Sequence, residues 1–132
     1  MQNAPSQRPA AAERQFRLYL WFLMLLAIPM YYVLMRVAPP EVPDAGSNLP
    51  NILLPLSVVT AGLSIPIRKL AARSNPKGGF IVGLALCEAA ALYGLVLWFA
   101  TGSARSYYCL LAGAAGMLLH FPRAAHPAAN PA

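Results

Sequence analysis

Four long blocks of apolar residues constrain this chain more than any other feature of its sequence. They cover residues 18–35, 49–67, 78–104 and 106–122, and Glu88 is the only acidic residue inside them. A hydrocarbon core of about 30 Å takes roughly 17 to 25 helical residues, so each block spans or nearly spans it. Backbone amides in lipid are satisfied within a helix or a closed barrel, and these runs lack the alternation of barrel strands. We therefore predict an all-α integral membrane bundle of four transmembrane helices.

The composition excludes a soluble domain of this size, because 58% of the residues are hydrophobic and only 11% are charged. Ten Lys and Arg residues face four Asp and Glu residues, an excess that is also found in nucleic-acid-binding proteins. Here, however, the basic residues flank the apolar blocks and form no single stripe. We expect the lipid bilayer as the partner surface and no nucleic acid.

Three regions are predicted along the chain. The two ends, residues 1–15 and 124–132, have no apolar period and are predicted to be flexible cytoplasmic tails. Residues 16–123 form the predicted four-helix transmembrane domain. Prolines within or beside the spans predict kinks, and a transport hinge is the alternative. The spans are predicted near 16–37, 49–68, 79–101 and 106–121.

A cleaved signal peptide is the alternative interpretation of the first apolar block, since three arginines precede it. The block is longer than an ordinary signal core, and no clear small-residue cleavage pattern follows it. We therefore interpret it as a retained span.

The connectors predict an orientation. The N-terminus and the second connector are both basic, and the positive-inside rule places them together on the cytoplasmic face. The first connector is acidic, and the third is short enough to make spans three and four an antiparallel hairpin. We predict a protein of the inner (plasma) membrane with both termini cytoplasmic. The aromatic residues predicted to anchor the ends of the spans at the interfaces are Tyr19, Trp21, Tyr31, Tyr32, Trp98, Tyr107 and Tyr108.

Glu88 is the sharpest functional candidate. It lies about 15 Å along the third span from Gly78, close to the middle of the bilayer. A charged carboxylate there costs about 2.5 to 3.5 kcal/mol, so we expect a protonated, hydrogen-bonded or hydrated side chain. Thr60 of span two lies at a similar depth and could hydrogen-bond to it. Two roles stay open: a proton-binding site formed by Glu88 and Thr60, or a hydrogen-bonding link between helices.

Small residues share one face of the third span, where they would let another helix approach closely. A second small-residue seam lies in the fourth span, from Ala112 to Gly116. The predicted packing residues of the third span are Gly83, Cys87, Ala90 and Gly94.

The segment ALCEAAALYGLVLWF, preceded by ARSNP, resembles the Glu-bearing helix and polar loop of subunit c of rotary ATP synthases. The likeness covers about residues 71–100 and implies that Glu88 binds and releases a transported ion. The polar loop of that family is cytoplasmic, in agreement with the orientation predicted for ARSNP. The four-span layout, with Phe121 to Arg123 at its end, also resembles a bacterial family of four-span membrane proteins.

Neither an enzyme nor a metal or cofactor site is expected. Cys87 and Cys109 lie within different spans with no cluster of His or acidic residues beside them, and His120 is predicted at the inner interface without a second ligand. We find no Ser-His-Asp set and no phosphate-binding loop.

Three functions remain open on the sequence. The first is an accessory or structural subunit of a membrane assembly, with other membrane subunits or further copies of the chain as partners. The second is a proton-binding subunit that resembles subunit c and uses Glu88. The third is a small transporter that would have to oligomerise, because the chain contains no internal repeat.

Overall fold

The computed structural model describes residues 8–40 and 47–122 of the chain. These residues form four helices, and no strand is present within the two ranges. The all-α fold class is therefore confirmed. The helices are α1 (Arg8–Val37), α2 (Leu49–Ala72), α3 (Pro76–Thr101) and α4 (Ser106–Leu119).

Helix α1 begins at Arg8, well before the predicted start near residue 16. Residues 8–15 of the predicted tail are therefore helical, and the division of the chain into tails and a transmembrane domain stays a prediction. This segment is rich in alanine, a strong helix former, and Glu13 pairs with Arg17 one turn later, which also favours a helix. Residues 1–7 and the predicted tail 124–132 lie outside the described residues.

Three of the helices are long and apolar enough to cross a membrane. The qualifying segments are Ala11–Val37, Leu49–Ala72 and Pro76–Thr101, with 27, 24 and 26 residues. Helix α4 is apolar but has only 14 residues, which corresponds to about 21 Å at 1.5 Å per residue. It is shorter than a hydrocarbon core of about 30 Å. The structure thus shows three helices of membrane-crossing length and a shorter fourth.

Local sequence signals set the bounds of α3. The Asn75 side chain accepts hydrogen bonds from the backbone amides of Lys77 and Gly78, both at 3.1 Å, and caps the start of the helix. Pro76 occupies the first turn, where its missing amide proton costs nothing. Gly102 ends the helix in the left-handed conformation with φ of 65°, which glycine adopts without strain.

Helices α3 and α4 form the centre of the bundle. Both α1 and α2 contact these two central helices, whereas α1 and α2 do not contact each other within the described residues. Helix α3 is the most enclosed: 44% of its most apolar 18-residue stretch is buried, compared with 11% for the same length of α1 and of α2. The two outer helices therefore present most of their apolar surface to the surroundings.

Glycines bring the helix backbones into direct contact. A Cβ atom at Gly113 of α4 would lie 2.7 Å from the Cys87 carbonyl oxygen of α3. One at Gly94 would lie 2.6 Å from the Ser106 carbonyl oxygen, and one at Gly79 would lie 2.7 Å from the carbonyl oxygen of Arg68 in α2. Such contacts leave no room for a side chain, so these glycines fix the distances between α2, α3 and α4.

Candidate functional site

Glu88 is hydrogen-bonded to a phenol of the first helix. The Tyr31 hydroxyl of α1 donates to Oε1 of Glu88 in α3 at 2.8 Å. Both side chains are partly buried where the two helices meet. A polar pair between helices in lipid satisfies two groups that would otherwise lack partners. The bond therefore attaches α1 to α3.

The pair lies in the middle of α3 among apolar groups. Glu88 follows Pro76 by 12 residues and precedes Thr101 by 13, which corresponds to about 18 and 20 Å along the helix. Leu84 and Ala91, three or four residues from Glu88, are fully buried. The surroundings of the carboxyl on its own helix are thus hydrocarbon above and below.

Thr60 does not hydrogen-bond to Glu88 within the described residues, where the carboxyl accepts from Tyr31. Helix α2 packs on α3 through Ser57, whose hydroxyl donates to the Ala90 carbonyl oxygen at 2.9 Å. Ala90 lies about 160° around α3 from Glu88, at 100° per residue. Equal depth does not imply contact here, because α2 and the carboxyl occupy different sides of α3.

Two tryptophans add further bonds between α1 and the central helices. The Trp21 indole donates to the Met117 carbonyl oxygen of α4 at 2.8 Å. At the other end of α1, the Trp98 indole of α3 donates to the Ala38 carbonyl oxygen at 3.4 Å. Together with Tyr31, these groups hold α1 at three levels, and α1 runs parallel to α3.

The position of Tyr31 near the end of span one predicts an interface anchor and not a partner of Glu88. The sequence gives no clear signal for this pairing, but the structure places Tyr31 on the inner face of α1. Ile28 and Met35, three residues before and four after Tyr31, are buried. This spacing places all three side chains on one helical face. A phenol on an apolar face calls for a polar partner in the adjacent helix.

His120 is buried within the bundle, since its relative exposure is 1%. Its Nδ1 lies 2.8 Å from the Gly116 carbonyl oxygen one turn earlier. The ring also packs against Gly83 of α3, where a Cβ would lie 2.7 Å from Nε2. Two side chains thus bond to carbonyl oxygens in the last turn of α4: His120 bonds to Gly116, and Trp21 bonds to Met117. Such partners suit a short helix that ends among apolar groups.

The small residues predicted to pack in α3 all lie in its buried face. Cys87 packs against α4, with its sulfur 2.7 Å from where a Cβ at Gly116 would be. In the fourth helix, Ala112 is only half-buried, and Gly113 is the residue that meets the α3 backbone. The residues buried in α3 are Gly83, Cys87, Ala90 and Gly94.

Over the residues that the structure describes, no group of three or more His, Cys, Asp or Glu side chains could hold a metal ion. Comparisons with protein-family models, with curated proteins and with solved structures gave no match. The likeness to subunit c therefore remains a prediction from the motif around Glu88.

Proposed function

We propose that this chain is a structural or accessory subunit of a membrane assembly, and that Glu88 acts within the chain as a hydrogen-bonding link. The observation that carries this proposal is the bond from the Tyr31 hydroxyl to Glu88 Oε1. It gives the mid-depth carboxyl a partner in the same chain, on an α3 face whose nearest turns are apolar. A carboxyl employed in this way stabilises the position of α1.

The exposed surface of the two outer helices supports a role in assembly. Val33 of α1 and Val59 of α2 are 52% and 54% exposed. They belong to the exposed apolar faces of two helices that contact α3 and α4 but not each other within the described residues. Lipid can cover such faces, and so can helices of other subunits. A small chain with two such faces can contact neighbours through either helix.

Photo-crosslinking in native membranes tests this role. A photoreactive amino acid replaces Val33 or Val59, and we expect irradiation to give a discrete higher-mass adduct from at least one position. The matched control is the same replacement at Leu97, which is fully buried and should react only within the chain. As a second measurement, the chain is extracted with its surrounding lipid into native nanodiscs and its mass is determined. If both exposed positions yield only lipid adducts and the nanodiscs contain a single copy of the chain and no other protein, the assembly role is wrong.

We further propose that α4 completes a four-span topology with both termini cytoplasmic in the inner (plasma) membrane. The basic second connector, with Arg73 and Lys77, supports this orientation. The short turn between α3 and α4 returns the chain toward the side from which α3 started. Helix α4 is short for a bilayer, and in this arrangement Trp21 and His120 satisfy its final carbonyls below the membrane surface.

Cysteine labelling tests the orientation. With a membrane-impermeant maleimide on intact cells, we expect Ala104→Cys to be labelled and Ser74→Cys to be labelled only after permeabilisation. Both positions are exposed in the connectors. The unmodified chain is the control, because Cys87 and Cys109 are fully buried. Labelling of Ser74→Cys from outside would reverse the proposed orientation.

A proton-binding role is the second candidate, favoured by one observation. Glu88 is only partly buried, and Tyr31 occupies one carboxyl oxygen, which leaves the other oxygen able to hold a proton. In that case Glu88→Gln abolishes any proton-linked activity while the chain stays folded. A structural carboxyl, in contrast, is replaced by glutamine with little loss.

A further inference from the structure

Two arginines from helices that do not otherwise meet converge on one aromatic ring. The guanidinium carbon of Arg17 in α1 lies 5.9 Å from the centroid of the Phe80 ring in α3. The guanidinium carbon of Arg68 in α2 lies 5.3 Å from the same centroid. We call these three residues the Phe80 cluster. Cation–π attraction to the ring holds each guanidinium without using any of its N–H donors.

The Phe80 cluster carries two positive charges, and one of them is paired with a carboxylate. Arg17 forms an ion pair with Glu13, while Arg68 has no ion pair or side-chain hydrogen bond within the described residues. The Nε atom of Arg17 is buried and also has no hydrogen-bond partner there. Like charges that share an apolar surface repel each other and are stabilised by an anion between them.

The cluster also lies beside a buried unpaired nitrogen. Nε2 of His120 has no hydrogen-bond partner in the described part of the chain. It lies 2.7 Å from where a Cβ at Gly83 would be, and the Cβ of Arg68 lies 3.2 Å from the same point. The ring donates through Nδ1 to the Gly116 carbonyl oxygen, and Nε2 is then an acceptor. The hydrogen-bond donors in this part of the bundle are therefore those of Arg17 in α1 and Arg68 in α2.

The position along the helices indicates the source of the anion. Arg17 immediately precedes the apolar block of α1, and Arg68 immediately follows the apolar block of α2. Both residues thus stand at the boundary between hydrocarbon and polar groups, the level at which lipid phosphates lie. Arginine binds phosphate with paired hydrogen bonds in a fixed geometry.

We propose that the Phe80 cluster is a binding site for a phosphate group, and that Arg17 and Arg68 hold the headgroup phosphate of an anionic phospholipid. The site requires only that the helices cross a bilayer, and it does not depend on the proposed role in assembly.

Quenching of tryptophan fluorescence by brominated lipid tests the site. The Trp98→Phe chain keeps Trp21 as its single tryptophan, one helical turn from Arg17. It is reconstituted into phosphatidylcholine vesicles in which brominated phosphatidylglycerol or brominated phosphatidylcholine replaces a fixed fraction of lipid. We expect brominated phosphatidylglycerol to quench the fluorescence more strongly than brominated phosphatidylcholine does. Arg17→Gln or Arg68→Gln should each lower the relative association constant about fivefold, as for the loss of one arginine at an anionic surface.

The matched control is Arg73→Gln, which removes the same charge from the exposed connector at the same end of the bundle. It should leave most of the selectivity intact. An equal loss for Arg73→Gln, or no selectivity in the parent chain, overturns the proposal. Millimolar inorganic phosphate distinguishes the sources: failure to reverse the quenching assigns the site to lipid headgroups, and reversal assigns it to soluble phosphate.

Discussion

Gly113→Leu is expected to destabilise the bundle by about 3 kcal/mol, at the upper end of the cost of overpacking a core. A Cβ at this position would lie 2.7 Å from the Cys87 carbonyl oxygen and 3.0 Å from the Ala91 amide nitrogen. Both atoms belong to the α3 backbone, which cannot turn aside as a flexible side chain can. The measurement is the free energy of unfolding in mixed micelles titrated with sodium dodecyl sulfate.

The matched control is Gly62→Leu in α2, which introduces the same side chain at a helical glycine. No atom lies within 4 Å of a Cβ at Gly62. We expect its unfolding free energy to stay within about 0.5 kcal/mol of the parent value, as is usual for exposed positions. Equal losses from both substitutions would show that the close approach of α3 and α4 does not determine stability.

Glu88→Leu is expected to lower the unfolding free energy by about 1 to 2 kcal/mol. The substitution removes the acceptor of the Tyr31 hydroxyl and leaves that donor unpaired among apolar groups. Leucine itself suits the middle of a membrane helix better than glutamate does. Any loss of stability must therefore come from the broken contact between α1 and α3.

Glu88→Gln is the control for this prediction, because its amide oxygen can still accept from Tyr31. We expect a loss below about 0.5 kcal/mol and unchanged association with partners. The measurement is the same detergent titration, together with the yield of any crosslinked adduct. A glutamine variant as unstable as the leucine variant would mean that the charge of Glu88, and not its acceptor oxygen, maintains the fold.

The helices could be predicted from the sequence because their determinants are local. The four apolar blocks predict the four helices, and Pro76 and Gly102 mark the bounds of α3. The start of α1 does not follow from the apolar blocks, because residues 8–15 lie outside them. Residues 8–15 are polar and helical at once, since alanine-rich turns and the Glu13–Arg17 pair need no apolar face.

The candidate site could be predicted only in part. Glu88 is conspicuous because a carboxyl in the middle of an apolar block is costly wherever it points. Its partner depends on which helices become neighbours, and the sequence does not state that order. Thr60 has the right depth but lies on α2, whereas the α1 face that meets Glu88 carries Tyr31.

The packing of α4 shows the same limit. Ala112 and Gly113 are both small, and either could meet α3 if only composition is considered. The rotation of the helix selects Gly113, since Gly113 meets the backbone at Cys87 and Ala91 while Gly116 meets the Cys87 side chain. That rotation follows from contacts with α2 and α3, which are long-range in the sequence.

A double-mutant cycle between Tyr31 and Glu88 tests the central claim most directly. The unfolding free energies of the parent, Tyr31→Phe, Glu88→Leu and the double variant are measured under one set of bilayer-mimetic conditions. If the hydroxyl and the carboxyl stabilise the bundle through each other, the double variant loses little more than either single variant. The coupling energy should then be about 1 kcal/mol, within the range found for hydrogen bonds between membrane helices. Losses that add to within about 0.3 kcal/mol would contradict the account, because Glu88 would then act independently of Tyr31.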